Sequence, residues 1–351
     1  MAVFPKKSSI IYALTSQGAR LAMKIAGEIE ADVLISRNLK GFQRTQSFDS
    51  LFQAVSANYS LYPNQIFVAA AGIVVRSVAP LIRTKDVDPA VVVLDHEGQF
   101  VVSLLSGHLG GANALARQVA GITQGQAVIT TATDVEGLKA IDVLVGEKGM
   151  NLANIGAIKT INSALLQHQW ISVCDPEDWL QSELLDFPEY QIRSVASLDQ
   201  IPSETPGIMV TWEAMDVSAW TSILVVHPRC LVLGLGCNRN TSSSEVMDLI
   251  VRTFAAYTLS LESIFCLATT TRKSSEPGLC QTAEQLGVPL MSIPHALLPT
   301  VSVPNPSRVV ANYMGVPSVC EAAALIQAKT DKLLVHKTKS SNVTLAVALK
   351  H

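Results

Sequence analysis

The chain has 351 residues, enough for two or three domains, and is 48% apolar and only 16% charged, a core-rich balance that excludes disorder and a coiled coil. Its 26 Lys and Arg against 29 Asp and Glu leave a net charge of -3. That excludes the broad basic field of a non-specific nucleic-acid binder, so an anionic partner must be held locally.

Two charge-free stretches, 50–75 and 287–307, are long enough to test as membrane spans. Gln53, Asn58, Pro63, Asn64 and Gln65 interrupt the first and leave only 66–75 continuously apolar, too short to cross a bilayer. Prolines at 289, 294, 299, 304 and 306 break the second. With no secretory pattern at the start of the chain, a cytoplasmic protein without a membrane partner is expected. The six cysteines form no C-x-x-C pair, which fits reduced thiols, mostly buried, and implies no zinc site. No two histidines stand at metal-ligand spacing.

In chain order, strand-like runs alternate with helical patterns through residue 140, as in a sheet covered by helices. A strand over 9–14 enters a helix near Gly18, and 31–36 is the next strand. Residues 66–71 form a buried strand broken by Gly72, followed by a turn or helix carrying Arg76. The runs 91–95 and 100–105 flank His96-Glu97-Gly98-Gln99, a spacing suited to an antiparallel hairpin. Next come Ser106-Gly107-His108-Leu109-Gly110-Gly111-Ala112-Asn113 and then Ala112, Leu115, Ala116 and Val119 at helical spacing: a strand, a glycine-rich loop and a helix. A further strand over 127–131 leads to Asp134.

From 145 to 227 the pattern weakens, and all four tryptophans fall there. A small middle domain is expected, with the tryptophans filling its core. After Cys230, a strand over 231–235 and a loop over 236–241 precede Ser242-Ser243-Ser244-Glu245, a capping box for a helix with Val246, Ile250, Phe254 and Tyr257 on its apolar face. A second helix ends at Gly287, before a strand over 290–293. Gly315-Val316-Pro317 leads to a second capping box, Ser318-Val319-Cys320-Glu321, and 332–336 with 343–349 form a closing hairpin. The expected architecture is α/β: an N-terminal α/β domain with a mixed sheet over 1–144, a middle α/β segment over 145–227, and a C-terminal α/β domain with a closing hairpin over 228–351.

The 106–113 loop has two readings. Its glycines let backbone N–H groups crowd around an anion at a helix N-terminus, with His108 inside the loop, or they supply positive φ for a tight strand-to-helix turn. It is not an ATP loop, because the chain has no Gly-Lys-Ser/Thr. Gly234-Leu235-Gly236-Cys237-Asn238-Arg239 follows a strand as a dinucleotide or S-adenosylmethionine loop would, but lacks the third glycine of that fingerprint. Thr269-Thr270-Thr271-Arg272-Lys273-Ser274-Ser275-Glu276-Pro277-Gly278 is a hydroxyl-rich, doubly basic stretch, either a solvated connection or a site loop where α/β proteins carry their sites. Asp134, after a strand end, could act as a base or orient His108. Adjacent Asp95, His96 and Glu97 point to opposite faces of a hairpin and are no triad.

Read in order, Ala71-Gly72-Ile73-Val74-Val75-Arg76, Asp88-Pro89-Ala90-Val91-Val92-Val93, Leu104 to Asn113, and Ile129-Thr130-Thr131-Ala132-Thr133-Asp134 resemble the N-terminal domain of the cobalt-precorrin-5A hydrolase family. Gly234-Leu235-Gly236-Cys237, Glu276-Pro277-Gly278-Leu279, Val303-Pro304-Asn305-Pro306-Ser307, Gly315-Val316-Pro317-Ser318-Val319 and Lys339-Ser340-Ser341-Asn342-Val343-Thr344 extend the resemblance to the C-terminal part. One departure is that Asn238-Arg239-Asn240-Thr241 stands where the family usually has two arginines and Gly-Thr, so a two-arginine clamp is not carried over.

The resemblance implies a cobalt-bearing, ring-contracted tetrapyrrole substrate, opening of its δ-lactone by water, and release of acetaldehyde in anaerobic cobalamin biosynthesis. The cobalt comes with the substrate, and no other cofactor is implied. From its place in the loop rather than from the resemblance, His108 is expected to activate water or accept the hydroxyl proton, with Asp134 as its orienter and the 107–111 amides facing the oxyanion or a carboxylate. Arg76, Arg83, Arg239, Arg272 and Arg308 would meet the peripheral carboxylates. Ser106, Gly107, Gly110, Gly111, Asn113, Asn238 and Glu276 are further substrate-binding candidates. The loops at Ser106, Gly236 and Arg272 are expected to share one cleft, and neighbouring pathway enzymes or a second copy are the expected protein partners. The alternatives are a tetrapyrrole carrier without catalysis and a methyltransferase. The methyltransferase would need an acidic residue after the strand ending near Leu267, where threonines stand instead.

Overall fold

The computed structural model describes residues 7–84, 87–185, 187, 190–202, 205–306 and 318–350. Arg308 and the Gly315-Val316-Pro317 motif lie outside the described residues. The chain divides into two compact units, Met1–Leu144 and Val145–His351. Among the described residues no helix is long and apolar enough to cross a membrane.

The first unit is built on β1 (Ser9–Ala13), β2 (Ala31–Ser36), β3 (Gln46–Phe48), β4 (Asn64–Val68), β5 (Ala90–Leu94), β6 (Phe100–Leu105) and β7 (Gln126–Val128), in the order β3-β2-β1-β4-β5-β6-β7. β5 and β6 pair antiparallel, as the spacing around Gly98 implies, and the other neighbours pair parallel. The central strands β1 and β5 are buried along their whole length and largely apolar, and the two-residue period of the strands sorts the side chains. Ile11, Ala13, Val33, Ile66 and Val92 pack with α1 (Ser16–Ile29) and α4 (Ala112–Thr123). Ile10, Tyr12, Phe67, Val91 and Val93 face the opposite core with α2 (Leu51–Asn58) and α3 (Ala71–Val78), where the Tyr12 and Phe67 rings stack at 4.7 Å. The short helices α5 (Ala132–Val135) and α6 (Ile141–Glu147) follow β7. β7 therefore stops before Thr131, and Asp134 stands on a one-turn helix rather than directly at a strand end.

The second unit holds two sheets. β8 (Asn151–Leu152), β9 (Trp170–Cys174), β10 (Gln191–Val195), β11 (Gly207–Val210) and β12 (Ile223–His227) run in the order β10-β9-β11-β12-β8, with α7 (Ile158–Leu166) and α8 (Gln181–Leu185) between strands. Three of the four tryptophans do not lie in a core confined to this segment. Trp179 and Trp212 pack against the apolar cluster of the following sheet, whereas Trp170 is 56% exposed and lies under the Arg193 guanidinium.

The last sheet is formed by β13 (Leu231–Cys237), β14 (Ile264–Thr270), β15 (Leu290–Ile293), β16 (Val335–Lys339) and β17 (Val343–Leu349), in the order β15-β14-β13-β17-β16. β13 to β15 run parallel, and β17 returns antiparallel beside β13 with β16 as its hairpin partner. Leu231, Leu233 and Leu235 bury against α9 (Ser243–Ala256) and α10 (Pro277–Leu286). The other face carries Val232, Ala346 and Ala348 under the alanine-rich α11 (Val319–Ala328). A Cβ on Gly234 would stand 1.9 Å from the Cys320 carbonyl, so the first glycine of the G-x-G motif admits a helix rather than a phosphate. This finding counts against the methyltransferase reading.

Three local expectations are corrected. Ser242 does cap α9 by accepting from the Glu245 N–H, but the Glu245 carboxylate turns to Ser340 and Asn342. Ser318 makes no side-chain cap, and Glu321 is fully buried, accepting from the Asn305 and Lys337 N–H groups. Tyr257 ends α9 half-exposed rather than on its buried face.

Candidate active site

The 106–111 loop is tight before it is anything else. Gly111 has φ +85°, Ser106 sits at φ +59°, and a Cβ on Gly110 would come within 2.3 Å of the Ser106 side chain. The loop closes on its own amides: Gly111 N–H donates to the His108 carbonyl at 2.8 Å, Ala112 N–H to Ser106 at 3.0 Å and Asn113 N–H to Gly107 at 3.0 Å. The first amides of α4 and that of Gly111 are thus committed internally, so the expected anion cradle over 107–111 shrinks to the amides preceding Gly111. The turn's main effect is to seat His108 and Asn113 beside the α5 segment.

Four segments meet there. The Asp134 Oδ2 accepts from the Thr131 hydroxyl at 2.6 Å and the Asn113 amide at 2.9 Å, and lies 3.2 Å from His108 Nε2. Its Oδ1 accepts from the Arg117 guanidinium. Asn113 and Arg117 are one turn apart on α4, which places both on one face. Asn113 also donates to Thr131 at 2.9 Å and accepts from Ser103 at 2.7 Å. Its amide is therefore fully used inside the cluster. Thr133 Oγ1 approaches the same Nε2 at 3.2 Å, and the buried Asp142 stands 3.7 Å from Nδ1. Burial by itself would raise the Asp134 carboxyl, but donors from Thr131, Arg117 and His108 outweigh it and hold the group below the usual carboxylate range. An ionised Asp134 only accepts, so the Nε2 contact is a hydrogen bond in the form of the ring that carries its hydrogen there.

Arg76 and Arg83 are exposed elsewhere in this unit. The Arg76 guanidinium bonds the Gly72 carbonyl at 2.8 Å, and Arg83 lines a separate cavity of about 240 Å³ beside Tyr59.

In the second unit a cavity of about 970 Å³ opens at the end of β13 and collects four expected residues, Asn238, Arg239, Arg272 and Glu276. Asn238 is spent on the hairpin turn, giving its Nδ2 to Asn342 Oδ1 and its N–H to the Asn342 carbonyl, each at 2.9 Å. Glu276 pairs with Lys273 at 2.8 Å, which lowers its carboxyl. Arg239 and Arg272 remain exposed on the cavity wall.

Sequence reading missed Asp142, Arg117, Thr131 and Thr133 in the first unit, although the Thr-Ala-Thr-Asp run and the one-turn step from Asn113 to Arg117 were visible signals. It also missed Lys337 and Lys339, hidden in a hairpin whose alternation was read only as core.

Comparison with known proteins covers nearly the whole chain. Residues 53–134 match the family described as cobalamin synthesis G N-terminal, residues 139–228 the cobalamin biosynthesis central region and residues 231–348 the cobalamin synthesis G C-terminus. The cobalt-precorrin-5A hydrolase of Priestia megaterium is 30% identical over 97% of this chain and 94% of its own length. That of Salmonella typhimurium is 33% identical over 98% of both. Protein CobE of a Sinorhizobium species is 34% identical over 34% of this chain and 79% of its own.

Proposed function

This chain belongs to the cobalamin synthesis G family, and from that membership we propose that it opens the lactone of cobalt-precorrin-5A at His108 and releases acetaldehyde. Its class is the plainer statement: it is an enzyme of the cobalt-precorrin-5A hydrolase type, acting in cobalamin biosynthesis. The observation that carries it is the setting of His108, with Nε2 held by an ionised carboxylate and Nδ1 directed toward the buried Asp142.

Water attacks the lactone carbonyl while Nδ1 takes its proton, and Asp142 faces the charge that appears on the ring. The amides of Gly107 to Gly110 and the Ser106 hydroxyl are the donors nearest in sequence for the oxyanion. The acyl C–O bond then breaks, and the freed alkoxide recovers the proton. In the second half that hydroxyl returns its proton to Nδ1, the C–C bond to the macrocycle breaks, and acetaldehyde leaves. The macrocycle keeps the electron pair and is then protonated. Arg239 and Arg272 partner peripheral carboxylates of the substrate, with Arg83 and Arg76, whose guanidinium is held by the Gly72 carbonyl, as further candidates. The reaction uses no cofactor beyond the cobalt that arrives with the substrate, and it proceeds in the cytoplasm.

The test is to incubate purified protein with the lactone-bearing cobalt intermediate and measure acetaldehyde. His108→Ala should lose about 10²–10⁴ in turnover with modest loss of binding, as for a general base. Acetaldehyde release at the wild-type rate would refute the role of His108. Binding of the intermediate with no acetaldehyde from the wild-type protein would leave a carrier.

A further inference from the structure

Asp134 is steadied by an amide whose own anchors lie on two other segments. Asn113, on α4, gives its two Nδ2 hydrogens to Thr131 Oγ1 and Asp134 Oδ2, each at 2.9 Å, and its Oδ1 accepts from the Ser103 hydroxyl of β6 at 2.7 Å. Thr131 passes its own hydrogen to the same Asp134 oxygen at 2.6 Å. An ionised carboxylate only accepts, so the amide turns its NH2 toward Asp134 and its oxygen toward Ser103, and the Ser103 hydroxyl donates. The chain of hydrogen bonds from Ser103 to Asp134 therefore runs in one direction. Asn113 is buried, where a lost partner costs the full desolvation of the group left behind.

The loop after β6 presses on the same amide. A Cβ on Gly107 would stand 2.8 Å from Asn113 Oδ1 and 3.2 Å from both its Cγ and its Nδ2. Gly111 has a positive φ and Gly107 does not, so backbone freedom explains the first glycine and not the second. What Gly107 supplies is space for the Asn113 amide. The spacing of the motif follows from this contact, because the Asn113 N–H also donates to the Gly107 carbonyl at 3.0 Å and brings the two residues together.

We propose that Ser103 and Gly107 are positioning residues that act on His108 through the Asn113 amide, Ser103 by holding its oxygen and Gly107 by leaving it room. The amide then holds Asp134, and Asp134 holds the ring. The positioning itself is a property of the folded protein, whereas its effect on turnover rests on the hydrolase reading above. Ser103 needs no contact with substrate for this role.

The experiment follows the ring directly. The His108 side chain is 21% exposed, so its carbethoxylation by diethyl pyrocarbonate can be read by peptide mass on the full-length protein, with the exposed His96 as internal reference. Ser103→Ala and Asn113→Ala should each speed labelling of His108 by about 3–10-fold, the worth of one buried hydrogen bond, with the His96 rate unchanged. Ser103→Thr keeps the hydroxyl and should return the rate to within about two-fold of wild type. The Ser103→Ala, Asn113→Ala double variant should label no faster than Asn113→Ala alone, because both act through one amide. On acetaldehyde release, Ser103→Ala should lower kcat about 3–10-fold with KM within about two-fold.

The proposal is overturned if Ser103→Ala keeps the wild-type labelling rate and kcat, if Ser103→Thr behaves as Ser103→Ala does, or if the two alanine effects multiply, as general loosening would make them. The Ser103 pair decides even where Asn113→Ala does not fold. Failure of the hydrolase reading looks different: the His108 labelling rates would shift as expected while the wild-type protein released no acetaldehyde.

Discussion

His108 Nε2 and Asp134 Oδ2 stand 3.2 Å apart, and that same oxygen also accepts from Thr131 and Asn113. Three donors on one carboxylate oxygen, with Arg117 on the other, fix the acid and through it the plane of the imidazole. The ring is held by a carboxylate that cannot rotate without breaking several bonds at once.

Asp134→Asn should therefore act on turnover rather than on affinity. The amide removes the charge facing Arg117 and can present an N–H to Nε2, which disturbs the tautomer. A fall of about 10–10² in kcat with KM within a few-fold is expected, measured by acetaldehyde release. Unchanged kcat would show that the pair only supports the loop.

The same carboxyl makes a signed prediction for pH. Its folded-state pKa lies below the ordinary value, so it contributes stability that is present above about pH 4, the unfolded value, and is lost as pH falls through the lower folded value. Urea midpoints recorded from pH 6 down to 3 should fall less steeply for Asp134→Asn than for the wild type. Parallel curves would contradict this.

Two glycines make opposite predictions. A Cβ on Gly234 would stand 1.9 Å from the Cys320 carbonyl, whereas nothing lies within 4 Å of one on Gly27 in α1. Gly234→Ala should cost at least about 1–3 kcal/mol as the alanine-rich helix is pushed off the sheet. Gly27→Ala should gain about 0.5–1 kcal/mol from helix propensity. Chemical denaturation of the two variants checks both signs.

Glu321, fully buried, accepts from the N–H groups of Asn305 at 3.1 Å and Lys337 at 3.2 Å and from the Asn305 amide at 2.9 Å. Glu321→Ala strands these donors and should cost about 2–4 kcal/mol, with Glu321→Gln costing less. A midpoint shift near zero would mean that water satisfies the donors instead.

Thiol reactivity should separate by burial. Removal from water pushes the Cys230 and Cys266 thiols up to about 12, while Cys280 is exposed. Alkylation of native protein near pH 8 should label Cys280 and spare Cys230 and Cys266, read by peptide mass. Equal labelling would show that the core opens on the timescale of the reaction.

The strands over 31–36 and 290–293, the hairpin around Gly98 and the helix beginning at Ala112 were legible because their signals are local: apolar period, turn glycine and spacing. The two capping boxes looked alike in sequence, yet only Ser242 caps. Glu321 has buried backbone donors to satisfy, while Glu245 lies near a hairpin almost a hundred residues later in the chain. Likewise the G-x-G signal at 234 could not disclose that a distant helix fills the place of the missing side chain.

By itself the sequence determined the alternation of strands and helices, the glycine-rich turn, and enough ordered motifs to identify the family, because these depend on neighbours along the chain. Only the tertiary structure decided which polar groups meet: Asp142 at the second nitrogen of His108, Arg117 on Asp134, and Lys339 in the same cavity as Arg239. Such contacts join residues from separate segments, and no local rule of spacing encodes the path by which the chain brings them together.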